Sequence, residues 1–110
     1  MKMKKINLRN YSVKGIDADG KDVELPYDVK ESISMVIFSP TLKLDGRSLL
    51  KRGKLAEKIE AAKDEILLED ADYTIVQTSF AQVTGYGKND LELVKRVLEA
   101  EDIEVKEKGK

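Results

Sequence analysis

Residues 84–105, TGYGKNDLELVKRVLEAEDIEV, constrain this chain more than any other stretch. Gly85 and Gly87 interrupt one helical pattern, with Gly85 in place as the residue after a helix end. Asn89 offers a cap for the next helix, and Glu92 follows at the spacing from which a carboxylate reaches back to the cap. That helix carries Leu91, Leu93, Val94, Val97, Leu98 and Ala100, an apolar arc covering nearly half its circumference. A helix packed on one side needs a narrower stripe. The helix must therefore be central, or a second subunit must cover it. Ile75 lies off the stripe of the preceding helix and points the same way. Ile75, Leu93, Val97 and Ala100 are thus candidate interface residues, together with Tyr86. An aromatic on a two-glycine loop is either tucked over the core or offered to a partner.

Upstream, residues 4–14 alternate, with Ile6, Leu8, Tyr11 and Val13 as inward positions and Asn10 interrupting the period, where a bulge fits. Asp19-Gly20 is a turn dipeptide, and Val23, Leu25 and Tyr27 alternate after it. The two runs predict a β-hairpin, with Pro26 confining the second to an edge. Asp28 caps a helix whose face is Val29, Ile33, Val36 and Ile37 and which Pro40 ends near Phe38. The same residues also read as a buried strand. Asp45 caps a helix over 47–63, in which Gly53 marks a kink or a close contact. Residues 66–68 are a short strand or the end of that helix. A third helix buries Tyr73, Val76, Phe80 and Val83 behind acidic residues that suit its N-terminus. Ile103 and Val105 read as a closing strand that adds to the hairpin edge.

Strands first, helices later and one strand last predict an α+β fold: an N-terminal hairpin, a short C-terminal strand and about four helices packed on the sheet. The chain's 110 residues fit a single domain, 1–105, with a frayed charged tail, 106–110.

Composition narrows the chemistry. There is no Cys and no His, which removes thiolate catalysis, cysteine-ligated metals and the commonest general base. No cofactor or metal is expected. Asp17, Asp19, Asp22 and Glu24 surround the hairpin turn, but the glycine falls at the wrong place for a calcium loop. The glycine loop before the last helix has Lys88 nearby, yet it lacks the phosphate-loop spacing and a following Ser or Thr. The serines have no base to activate them, and no carboxylate pair stands out. The expectation is a protein that is not an enzyme. No apolar run approaches the ~20 residues that cross a bilayer, so a cytoplasmic protein without a membrane partner is expected.

Charge leaves one alternative. Arg47, Lys51, Lys54 and Lys58 are spaced to stack on one helix face, a candidate anion or nucleic-acid surface. No aromatic interleaves them, and the net charge of −1 supplies no global attraction to polyanions. The acidic run 64–72 follows directly. Basic and acidic patches on one small domain pair either between subunits or with each other.

The opening MKMKKINLRNYSVKGIDADGKDVELPYDVKESI and the close NDLELVKRVLEAEDIEV resemble the small uncharacterised proteins of phages and prophages in Gram-positive or thermophilic bacteria. The resemblance covers most of the chain and carries over no site residue. It implies an accessory, assembly or host-modulating role. The expected function is protein binding or assembly, as a homo-oligomer or with a host or phage protein. The alternative is nucleic-acid binding through the basic helix face.

Overall fold

Two antiparallel sheets and four helices organise residues 2–105, the part of the chain that the computed structural model describes. The charged tail 106–110 lies outside the described residues. The N-terminal alternation divides into two strands, β1 (Lys2–Asn7) and β2 (Tyr11–Ile16), which belong to different sheets. Asn10 is therefore not a bulge inside one strand. It stands between the two, and its side-chain oxygen accepts from the Val29 amide at 2.9 Å. Leu8 leaves the strand path, is buried, and donates its amide to the Asp64 carbonyl at 2.8 Å.

β2 pairs with β3 (Asp22–Tyr27) as the expected hairpin, in the register Tyr11↔Tyr27, Val13↔Leu25, Gly15↔Val23. Its turn is ordered by Asp17, whose carboxylate accepts from the amides of Asp19 and Lys21, both at 2.9 Å. Gly20 takes the positive φ (80°) that tight turns demand.

The closing strand β5 (Glu101–Glu104) does not extend this hairpin. It pairs antiparallel with β1, whose other edge takes β4 (Glu65–Leu68). The charges suit this order: Lys4 bonds Asp102 at 3.0 Å, and Lys5 sits 3.6 Å from Glu65 and 3.7 Å from Glu101. A lysine-bearing centre strand thus lies between two acid-bearing edges, each solvent-screened pair contributing little.

The helices follow their caps. α1 (Val29–Ile37) begins at Asp28, which accepts from the Glu31 amide. α2 (Gly46–Ala61) begins at Asp45, which accepts from Ser48 at 2.8 Å. Gly53 lies within α2, and a Cβ there would meet nothing within 4 Å, so no close contact explains it. α3 (Asp70–Gln82) and α4 (Leu91–Leu98) pack on the three-stranded sheet, α1 packs on α3, and α2 on α1. One core joins them: Ile6 and Leu68 from the sheet, Ile33 and Ile37 from α1, Leu55 and Ile59 from α2, Val76 and Phe80 from α3, Leu93 and Val97 from α4. Each such side chain contributes roughly 1.5–3 kcal/mol by leaving water.

Two cap assignments change. α3 ends on Val83, two residues before Gly85. Gly85, at φ 93°, turns the loop beyond it. Asn89 does not cap α4. A 3-10 turn, Lys88–Asp90, precedes the helix, and Asp90 closes it by accepting from the Gly87 amide at 2.7 Å. Asn89 faces the hairpin instead: its carbonyl accepts from the Tyr11 hydroxyl at 2.8 Å, and its amide donates to the Lys14 carbonyl at 3.4 Å.

Candidate functional site

The α4 arc is buried in part: its centre faces the chain's own core, and its margin is exposed. Leu93 and Val97 are 1% and 0% exposed, and Val94 and Ala100 pack half-buried against the same core. α3 lies along one side of α4 and β1 beneath it. The side chains of Leu93 and Val97 are thus taken up by their own chain, and Leu91 and Leu98 are the exposed apolar residues of this helix. Tyr86 is tucked over the core. Its ring stacks on Phe80 with centroids 6.1 Å apart, and its hydroxyl donates to the Phe80 carbonyl at 2.9 Å. That bond satisfies one of the carbonyls that a helix end leaves open. Ile75 is half-buried on the outer side of α3, where it helps to floor a groove against α2.

This α2–α3 groove, about 460 Å³, gathers most of the basic stripe. Leu55, Ala71 and Ile75 form its apolar floor, Lys51, Lys54 and Lys58 stand along its rim, and Arg52 also lines it. Arg47 shares the α2 face and is exposed. Lys58 is bonded to Asp72 across the groove at 2.9 Å, and that bond raises its pKa. The basic and acidic patches therefore meet within the chain at this point, while Arg47, Lys51 and Lys54 make no salt bridge among the described residues. Arg52 is turned inward. It donates to the Ile37 carbonyl at 3.3 Å and to the Ser79 hydroxyl, and burial lowers its pKa. Ser79, fully buried, donates in turn to the Ile75 carbonyl at 2.7 Å. Arg52 thus ties α2 to the ends of α1 and α3.

The second surface was not visible in the sequence as a surface. The base of the β2–β3 hairpin is anchored firmly. Tyr11 and Tyr27 stack at 4.6 Å, the Arg96 guanidinium lies 5.0 Å from the Tyr11 ring, and the Tyr27 hydroxyl donates to Asp90 at 2.5 Å. Arg96 also donates to the Arg9 carbonyl at 2.6 Å and to Glu92 at 2.7 Å. Burial first, then the bond to Asp90, pushes the Tyr27 phenol well above its ordinary range. Beyond that anchor the hairpin leaves the body. Tyr11 and Tyr27 pack against the core, but Val13, Ile16, Val23 and Leu25 are not among the residues that do. Ile16 is 72% exposed and Leu25 46%.

Cross-strand pairing sorts the arm into two faces. Val13, Leu25, Gly15 and Val23 share one, and Ile16, Asp22, Lys14 and Glu24 the other. The alternation that produced these residues is the same signal as for a half-buried strand. The missing cue was the absence of any further strand or helix segment placed to cover them.

The acidic turn itself holds no metal-binding arrangement. Among the described residues, no group of three or more carboxylates is placed to hold an ion, and the Asp17 oxygen is occupied by the turn amides. No helix of the described residues is long and apolar enough to cross a membrane. No protein-family model, curated protein or solved structure matches the chain.

Proposed function

We propose that the protein is a non-enzymatic, cytoplasmic protein-binding and assembly module that works as a homo-oligomer, with the β2–β3 arm as its contact element. The observation that carries this reading is the outer half of the arm. On it Ile16 and Leu25 are exposed and Val13 and Val23 half-buried, none of the four packs against the core, and both of its strands have a free edge. An isolated two-stranded hairpin is marginal in water, and a partner that covers it gains both apolar burial and strand order. The resemblance of the N- and C-terminal stretches to phage proteins supports an assembly role of this kind.

Light scattering over a concentration series tests the reading. The wild type is expected to associate at micromolar concentration, and the Ile16→Asp/Leu25→Glu double variant to be monomeric with an unchanged circular dichroism spectrum. A wild type that stays strictly monomeric at high micromolar concentration rejects it.

A second reading rests on Arg47, Lys51 and Lys54, which make no salt bridge among the described residues: a nucleic-acid backbone is the partner of the α2 face. It predicts an affinity for oligonucleotides that falls with salt, with a slope reduced when Lys51 and Lys54 become Ala. No binding at low salt removes it.

A further inference from the structure

Resting on the homo-oligomer reading, we infer that the arm of one copy docks tip-first in the α2–α3 groove of a second copy, its Ile16 face down. The two surfaces complement each other in both polarity and charge. On the arm, Ile16 is an exposed aliphatic whose cross-strand neighbour is Asp22, with Glu24 next along the same face. Asp19 adds a further exposed carboxylate at the tip. The arm's cations are Lys21 at the turn and Lys14, which lies on the Ile16 face opposite Glu24, so Asp19 and Asp22 are the carboxylates nearest Ile16 that the pairing uses. In the groove, the order is reversed: Leu55, Ala71 and Ile75 make an apolar floor, and Lys51, Lys54 and Lys58 make a basic rim on which Asp72 alone is acidic. Lys58 is held by Asp72, so Lys51 and Lys54 are the rim cations left to meet Asp19 and Asp22.

The groove offers apolar residues beside cations, and the arm tip offers an apolar side chain beside carboxylates. The five residues of β2 beyond Tyr11 extend about 17 Å, and the molecule is 60 Å long against 32 and 22 Å across. The arm and the groove are different patches of the same chain, so each copy both gives and receives. In a two-fold pair the contact is made twice; without closure it propagates head to tail. Nucleic acid is the competing occupant, since it would use the same lysines and none of the floor.

A charge exchange tests the pairing. One variant carries Asp19→Lys and Asp22→Lys on the arm; another carries Lys51→Glu and Lys54→Glu on the groove. All four positions are exposed, so circular dichroism is expected to match the wild type in both. Each variant alone brings like charges together and is expected to lose at least ten-fold in self-association by light scattering. Mixed in equal amounts, the two are expected to recover association, because each arm then faces a groove of opposite sign.

The inference is overturned if either variant associates as tightly as the wild type, or if the mixture stays monomeric. It is also overturned if the groove variant keeps its self-association but loses oligonucleotide binding, which assigns the lysines to polyanions. These outcomes differ from failure of the underlying reading, in which the wild type itself is monomeric.

Discussion

The helical body and the hairpin arm are built from similar residues and come to opposite ends. In the body, Ile33, Ile37, Val76 and Val97 are each 0% exposed, and among the described residues no buried side-chain polar atom lacks a partner. In the arm, Val13, Val23 and Leu25 alternate as regularly, but only the stacked Tyr11–Tyr27 pair at the base touches the core. The difference is one of what lies opposite. A body residue faces an element of its own chain. An arm residue past Tyr11 faces nothing in the described structure that packs as core. Alternation specifies a face, and the presence of a second layer decides whether that face is used at home.

The same substitution should therefore have unlike consequences in the two regions. Leu93→Glu places an unpaired carboxylate in a site 1% exposed. Such a buried charge costs about 3–5 kcal/mol or more, a large share of the ~5–15 kcal/mol that holds a domain of this size. The expected outcome is loss of the native circular dichroism spectrum. A folded Leu93→Glu protein would mean that α4 is not central, and would restore that helix as an interface.

The joint between the regions gives the next effect. Tyr27 donates to Asp90, and Tyr27→Phe removes that bond, with a loss of about 1.5 kcal/mol, the low end for a hydrogen bond to a charged group. Amide exchange should rise in β2 and β3 and not in α1 or α3. The pH dependence follows from the direction of the shifts. All four tyrosines have pKa values above the ordinary one of about 10, each with burial as the leading cause. The folded state holds these phenol protons more tightly than the unfolded chain does. Their contribution is thus whole below pH ~10 and is lost as the pH rises through the folded-state values. Denaturant titrations should show stability falling only above that pH, and less steeply for Tyr27→Phe.

Within the body, Gly53 offers the reverse change. Its Cβ position is open, so Gly53→Ala should stabilise α2 by about 1 kcal/mol, seen as a higher denaturation midpoint.

What the sequence made legible was local. Asp28 and Asp45 each bond an amide three residues on, and Asp19-Gly20 turns the hairpin, because each signal is complete within a few residues. The α4 arc was legible too, but its two explanations differ only in what packs against it. Strand partners were not legible. β1 lies between β4 and β5, about sixty and a hundred residues away in the chain, and Lys4 and Lys5 reveal their acidic neighbours only once the register is known. Asn89 misled for a similar reason. Its spacing to Glu92 suits a capping box, but Asp90 closes the preceding turn first and Asn89 is drawn to Tyr11 and Lys14 across the fold. The candidate interface residues Leu93 and Val97 followed from apolar width alone, whereas the arm's uncovered face required knowing that nothing stands over it.

The smallest expected effect sharpens the contrast most. An added Cβ at Gly15 would come 2.5 Å from Cδ1 of Leu25, a separation that something must relieve. In a close-packed core such a contact costs on the order of 1–3 kcal/mol, because the neighbour has nowhere to move. Here the neighbour is the far end of a flexible side chain that is 46% exposed. Leu25 can turn away into solvent, so Gly15→Ala should change the stability of the monomer by no more than about 0.5 kcal/mol in either direction. Thermal or denaturant unfolding of dilute protein measures this. A loss as large as a core substitution would mean that Leu25 is held in place, and that the outer arm is as firmly packed as the body.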